Sequence, residues 1–251
     1  MIMNNFTVFL IVHVLCDFYL QSQKMADKKQ HDFLAVLRHS LFYAVEAGCL
    51  FMILMPGLAW CYILAFVLLH ALIDIMKYVL CNILDLKNLK LVKDKKFVFC
   101  IDQLLHIFSV TVLVYFIRNQ LVESLYNPAI GNIMKIYGIE GAVLLSWIVK
   151  ILLIHKPANI FISSILAGYR PVQREGENTK EKNAGRMIGT LERILMTIFI
   201  TIQQYSAVGL VLTAKSIARY ERISSDQEFA EYYLLGTLLS TIFAVCVAMI
   251  F

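Results

Sequence analysis

The chain has 251 residues, 59% hydrophobic and 16% charged, with a mean hydropathy of +0.70. Soluble domains carry about a quarter charged residues, whereas here the apolar excess is gathered into long runs lacking charges at helical spacing. That excludes a large soluble core and implies an all-α, polytopic transmembrane helix bundle. The net charge of +5 does not point to nucleic acid, because Lys and Arg fall in connections between apolar runs and no basic–aromatic stripe is present.

Seven spans are predicted in chain order, from Ile2 to Leu20, Phe33 to Met55, Leu58 to Leu80, Phe97 to Ile117, Ile139 to Ile154, Ile188 to Leu212 and Tyr232 to Phe251. Most approach the ~20 residues that cross hydrocarbon. Pro56–Gly57 joins the second and third as an antiparallel hairpin. The first connection carries Lys24, Lys28 and Lys29; the third carries Lys87, Lys90, Lys93, Lys95 and Lys96. The fifth carries Lys156, Arg170, Arg174, Lys180, Lys182 and Arg186, while the N-terminus and the second connection carry none. This bias places odd connections in the cytoplasm and the N-terminus outside the cell membrane. The first residues lack the positive flank of a signal peptide, so the first helix is expected to be retained.

Pro157 to Gly168 reads as a short interfacial helix, Pro at its start and Gly at its end. Arg170 to Gly185 reads as a polar linker. A full sixth crossing would leave Lys215, Arg219 and Arg222 outside, against the charge rule, so a shallow hairpin is the alternative there. The chain thus divides into a five-span membrane domain (1–155), an interfacial helix with linker (156–187) and a C-terminal two-helix hairpin (188–251). Six cysteines without a CxxC read as small buried hydrophobes.

The chemistry lies in three pairs spaced i, i+4: His13 with Asp17, His70 with Asp74, and Asp102 with His106. Ionisable residues are costly in hydrocarbon and mark functional sites, and this spacing puts both members on one helix face. Spans one and three descend and read His-x-x-x-Asp; span four ascends and reads Asp-x-x-x-His. The order reverses with helix direction, so all three aspartates lie nearer the cytoplasm, with each histidine about 6 Å deeper. His39, early in ascending span two, falls at a comparable depth.

Imidazole with carboxylate suits Zn, Mn or Fe better than Mg or Ca. Seven groups exceed a tetrahedral zinc shell, which implies either aspartates that orient histidines or two ions. His13, His39, His70 and His106 are the expected ligands; Asp17, Asp74 and Asp102 are co-ligands, anchors or the general base. Gln21, one turn past Asp17, extends the stripe, and Gln103 adjoins Asp102. Lys77 and Arg38 are placed to hold an anionic headgroup, although both also suit snorkelling to lipid phosphates. Gly185 and Gly189 have the small-xxx-small spacing of close helix packing. Lys215 and Arg219 are expected to pair with Glu228 or Glu231.

Several segments resemble an uncharacterised bacterial membrane family, domain of unknown function 3307. They are His13-x-x-x-Asp17-Phe-Tyr-Leu-Gln21, His70-Ala-Leu-Ile-Asp74 with Lys77, and Asp102-Gln-Leu-Leu-His106. Gly185-Arg-Met-Ile-Gly-Thr-Leu-Glu-Arg193, Gln204-Tyr, Lys215-Ser-Ile-Ala-Arg219 and the stretch from Glu231 to Ser240 are similar to it as well. The resemblance implies a coherent site and no particular activity. A looser likeness, of pattern only, is to bacterial membrane-bound metal-dependent hydrolases.

The leading expectation is therefore a membrane hydrolase using a divalent transition metal, Zn foremost, on a lipid or lipid-linked substrate at the cytoplasmic leaflet. The alternatives are a transition-metal or proton-coupled transporter built on the same cluster, and a structural or signalling membrane protein. The offset of the site from the midplane and the lack of a repeat favour the enzyme over the transporter.

Overall fold

The computed structural model describes residues 2–83, 95–120, 126–170 and 179–251, and every regular element among them is helical. Lys87, Lys90 and Lys93 of the third connection, and Arg174 of the fifth, lie outside the described residues. The chain forms two compact units, Met1–Val149 and Lys150–Phe251.

In the first unit, α1 (Ile2–Val14) continues as a π-helix over Leu15–Leu20 and is followed by the short α2 (Gln23–Lys28). Then come α3 (Phe33–Leu54), α4 (Trp60–Tyr78) with a π-helical end at Val79–Ile83, α5 (Lys95–Ile117), α6 (Pro128–Ile136) and the start of α7 (Gly141–Ile154). The boundaries have local causes. Ser22 caps α2 by accepting from the Met25 N–H, and Asp32 caps α3 by accepting from the Leu34 N–H. Pro56 and Gly57 then turn the chain into α4. Asn127 caps α6, and its own backbone and side-chain N–H groups bond the Leu54 and Ile53 carbonyls at 3.0 and 2.9 Å. It thereby satisfies acceptors that the end of α3 would otherwise leave open.

Four helices each turn one ridge inward at a spacing of four residues. The ridges read Phe9–His13–Asp17 on α1 and its π-helical extension, His39–Tyr43–Ala47–Phe51 on α3, Phe66–His70–Asp74 on α4 and Asp102–His106–Val110–Val114 on α5, every one of these residues buried. At one end the ridges are apolar: Phe9, Phe51 and Phe66 meet with ring centroids 4.8 to 5.6 Å apart. At the other end they become imidazole and then carboxylate. A strict four-residue ridge drifts around an α-helix of 3.6 residues per turn. The π-helical Leu15–Leu20 has a longer turn, which helps keep Asp17 in line below His13.

The outer faces are the reverse of a soluble protein's. Leu41, Phe42 and Val45 of α3, Leu64, Leu68 and Leu72 of α4, and Leu104, Phe108 and Phe116 of α5 are exposed. Polar groups inside and apolar groups outside is the arrangement that lipid requires.

The second unit holds the end of α7, α8 (Lys156–Ile165) with a 3₁₀ turn at Leu166–Tyr169, α9 (Thr179–Thr201), α10 (Tyr205–Ile217), α11 (Tyr220–Ser225) and α12 (Gln227–Ile250). A break at His155 separates α7 from α8. The buried Arg193 of α9 fastens it: Nε donates to the Ile154 carbonyl at 2.7 Å, Nη2 to Asn159 Oδ1 at 2.7 Å, and Nη1 to Ser240 Oγ at 3.1 Å.

Among the described residues, five helical stretches are long and apolar enough to cross a membrane: Phe33–Leu54, Trp60–Asn82, Lys96–Ile117, Gly141–Tyr169 (which runs through the break at His155) and Gln227–Ile250. Asn5–Leu20 and Tyr205–Ile217 are shorter apolar helices. The predicted sixth span is thus not continuous. It breaks at Gln203, whose φ of +60° closes α9 in a left-handed turn, with the Gln204 N–H on the Phe199 carbonyl at 2.7 Å. That is a Schellman ending with Gln where Gly is usual. The predicted linker is also shorter than expected, because Thr179 to Gly185 already belong to α9. Lys215 pairs with Glu192 at 2.6 Å, not with Glu228 or Glu231.

Candidate metal centre

The polar ends of the four ridges form two layers. In the one next to the apolar end, His70 and His106 stack with ring centroids 4.3 Å apart and their Nδ1 atoms at 3.1 Å. His13 stands 5.1 Å from His106 and 5.5 Å from His70, ring to ring. Tyr43 floors this layer. Its ring lies 3.7 Å from that of His70, at 5° to it, and its hydroxyl hydrogen-bonds His13 Nδ1 at 3.1 Å. When Nδ1 carries the proton and donates to the Tyr43 oxygen, His13 Nε2 keeps its lone pair as a ligand.

The second layer holds the carboxylates. Lys29 Nζ donates to Asp17 Oδ1 and Asp74 Oδ2, both at 3.3 Å. Lys77 Nζ donates to Asp102 Oδ2 at 2.8 Å. Gln103 Nε2 spans Asp17 Oδ2 and Asp102 Oδ2, each at 3.3 Å. His39 joins the layers: its Nε2 is 3.3 Å from His70 Nε2, 3.4 Å from Asp17 Oδ1 and 3.5 Å from Asp74 Oδ2.

The arrangement leaves particular atoms open. His13 Nε2, His106 Nε2 and Asp102 Oδ1 are buried without a hydrogen-bond partner among the described residues. Buried polar atoms are rarely left so. His106 Nε2 lies 3.7 Å from both Asp102 Oδ1 and Asp74 Oδ1. Tetrahedral bonds of about 2.0 Å set ligand atoms about 3.3 Å apart, close to the spacing of His106 Nε2 from each oxygen, and Asp74, Asp102 and His106 present ligand atoms within 4.8 Å of one another. Two more groups present ligand atoms within 4.8 Å of one another: His13, His70 and His106, and Asp17, His39 and His70. Formal charge agrees with a cation. Three carboxylates face two ammonium groups, leaving one negative charge, which a single proton would cancel and a divalent ion would turn to +1.

The structure therefore brings together all seven residues singled out from sequence: His13, Asp17, His39, His70, Asp74, Asp102 and His106. Lys77 adjoins the cluster as the partner of Asp102. Gln21 ends the π-helix with its Nε2 buried and unbonded among the described residues. Arg38 is not brought in; His39 turns inward, and its chain neighbour stays exposed. Sequence reasoning missed Lys29 and Tyr43 as members. Tyr43 follows His39 by one helical turn, a signal that was available. Lys29 had none, because nothing distinguishes it in sequence from Lys24 and Lys28. Burial works against the Lys29 charge, but Asp17, Asp74 and Asp102 outweigh it and hold the ammonium above the ordinary lysine range.

No curated protein and no solved structure matches the chain. The C-terminal segments quoted above for the family resemblance lie beyond the reach of the family match. The family described as "Protein of unknown function (DUF3307)" matches residues 5–130, half of the chain and all seven residues of the cluster, and the chain belongs to that family.

Proposed function

We propose that the chain is an integral membrane hydrolase that holds a divalent transition metal, Zn or else Mn or Fe, and acts on a lipid or lipid-linked substrate at the cytoplasmic leaflet. One observation carries the reading: His106 Nε2 lies 3.7 Å from both Asp74 Oδ1 and Asp102 Oδ1, and it and Asp102 Oδ1 are buried with no hydrogen-bond partner among the described residues. A mixed carboxylate–imidazole set suits these metals. A bound ion would polarise the scissile group and lower the pKa of a water towards neutrality.

The chain's own residues prepare the site. Lys29 and Lys77 each take one oxygen of Asp74 and Asp102, so the other oxygens keep a fixed direction towards His106. Tyr43 orients His13, in the way outer partners set ligand tautomers. Asp17, held by Lys29 and Gln103, is the one of the three carboxylates not assigned to this ion and is left as the proton acceptor. The Lys77 side chain is 29% exposed and offers the cluster's most open positive charge to an anionic headgroup.

A proton-coupled or metal transporter is the second reading, favoured by a specific string of contacts. Nitrogens run from His106 through His70 to His39 at 3.1 and 3.3 Å, and on to Asp17 at 3.4 Å, a path along which protons can pass. Metal content of the purified protein beside His106→Ala and Asp102→Asn tests the shared premise. Stoichiometric Zn, Mn or Fe, lost in both variants, supports it; metal-free wild type after reconstitution rejects it. Lipid turnover in detergent then identifies the hydrolase, and metal or proton flux in liposomes the transporter.

A further inference from the structure

Lys29 stands where a cation is wanted. Its Nζ contacts Asp17 Oδ1 and Asp74 Oδ2, the same two oxygens that His39 Nε2 faces at 3.4 and 3.5 Å. His70 Nε2 lies 3.8 Å from that Asp74 oxygen. The ammonium and two imidazole nitrogens thus share the same pair of carboxylate oxygens: Lys29 Nζ and His39 Nε2 both face Asp17 Oδ1 and Asp74 Oδ2, and His70 Nε2 faces the latter. Asp17, His39 and His70 already meet the spacing of a metal-binding group without it.

We propose that this is a second divalent-metal position, and that Lys29 is a tethered cation which fills it until a metal displaces it. The inference rests on the metal reading above for the first ion only. Asp74 joins the two positions, because Oδ1 faces His106 while Oδ2 faces His39. A carboxylate shared in this way is how paired ions about 3.5–4 Å apart are held.

The tether is light. Lys29 closes α2, a six-residue helix with no buried residue. The next carbonyl, that of Gln30, is held by Asn82 Nδ2 at 3.0 Å from the π-helical end of α4. α2 can therefore shift without unpacking a buried residue of its own, and the Lys29 side chain, 13% exposed, vacates the place that the metal takes. Its cost is the loss of two ion pairs, which an incoming divalent ion replaces with stronger ones.

Mn²⁺ binding to the full chain in detergent, counted by electron paramagnetic resonance, tests this. Wild type is expected to bind one ion at micromolar Mn²⁺ and a second only near millimolar. Lys29→Met should bind two at micromolar concentration, and Asp17→Asn in that background should return it to one. Asn82→Ala, which leaves every ligand in place, should bring the second ion in at roughly tenfold lower Mn²⁺ than wild type.

Wild-type protein gives an independent readout through amine acylation and mass spectrometry. Lys29 should be protected at one equivalent of Mn²⁺ and become reactive at millimolar metal, while exposed Lys24 and Lys28 stay constant. A Lys29→Met protein that gains no ion, or Lys29 labelling indifferent to metal, overturns the proposal. If wild type binds no ion, the first position fails alone; Lys29→Met must still gain one ion or the second fails too.

Discussion

Replacing Lys77 by Met removes the ammonium that holds Asp102 Oδ2 at 2.8 Å. At an effective dielectric of about 20, Coulomb's law gives this pair an attraction of about 6 kcal/mol. Much of that is offset, because the Lys77 side chain is 29% exposed and water screens it, and because Asp102 was desolvated on folding. A coupling of about 1–3 kcal/mol remains. It is measurable as a double-mutant cycle of Lys77→Met, Asp102→Asn and the double variant, each unfolded reversibly in mixed detergent micelles. The single Lys77→Met change should be the most damaging, since it leaves a buried carboxylate without its counter-charge. Adding Asp102→Asn should recover part of the loss. If the two changes add to within about 0.5 kcal/mol, the pair is not coupled, and Lys77 serves lipid phosphate instead, as snorkelling would have it.

Two other changes test the support around the cluster and the break in the second unit. Tyr43→Phe keeps the ring stacked on His70 but removes the hydroxyl from His13 Nδ1; metal affinity should fall about 10- to 100-fold by titration, with helix content unchanged. Gln203→Gly should raise stability by about 0.5–1 kcal/mol in the same unfolding assay, because Gly adopts the +60° φ without the penalty of a side chain. A loss of stability there would mean that the Gln203 side chain contributes something its exposed position does not reveal.

The cluster was legible because hydrocarbon makes it so. In a chain whose helices face lipid, each buried His or Asp is conspicuous, and the reversed order on the fourth predicted span encodes a shared depth. The hairpin of α3 and α4 was legible too, because Pro56–Gly57 is strong punctuation, whereas α6 (Pro128–Ile136) was not anticipated. What escaped had weaker local signals. Lys29 reaches the carboxylates from a surface connection through tertiary placement alone. The end of α9 is set by a left-handed Gln, and an apolar run that includes Gln203 and Gln204 reads as continuous when only hydropathy is counted. Arg38 was drawn towards the site by its neighbour His39, yet adjacent residues on a helix point about 100° apart, so one buried ligand is a reason to expect its neighbour outside.

Charge placement gives the cluster its direction. Lys29 neutralises the Asp17–Asp74 side from just past α2, and Lys77 neutralises Asp102 from the end of α4. Each ammonium group takes Oδ2 of its partner on α4 or α5, and the oxygens left over, Asp74 Oδ1 and Asp102 Oδ1, both turn to His106. The residual negative charge is therefore not spread through the layer but directed to one point, beside an imidazole nitrogen with no hydrogen-bond partner among the described residues. A purely structural polar knot would be expected to close its own hydrogen bonds, since buried unsatisfied atoms cost about 1–3 kcal/mol each. Here closure fails where the excess charge sits, and the side chains around it are pinned by lysines, a glutamine and a tyrosine. Fixed surroundings about an unsatisfied, anionic centre are what the proposed metal reading requires.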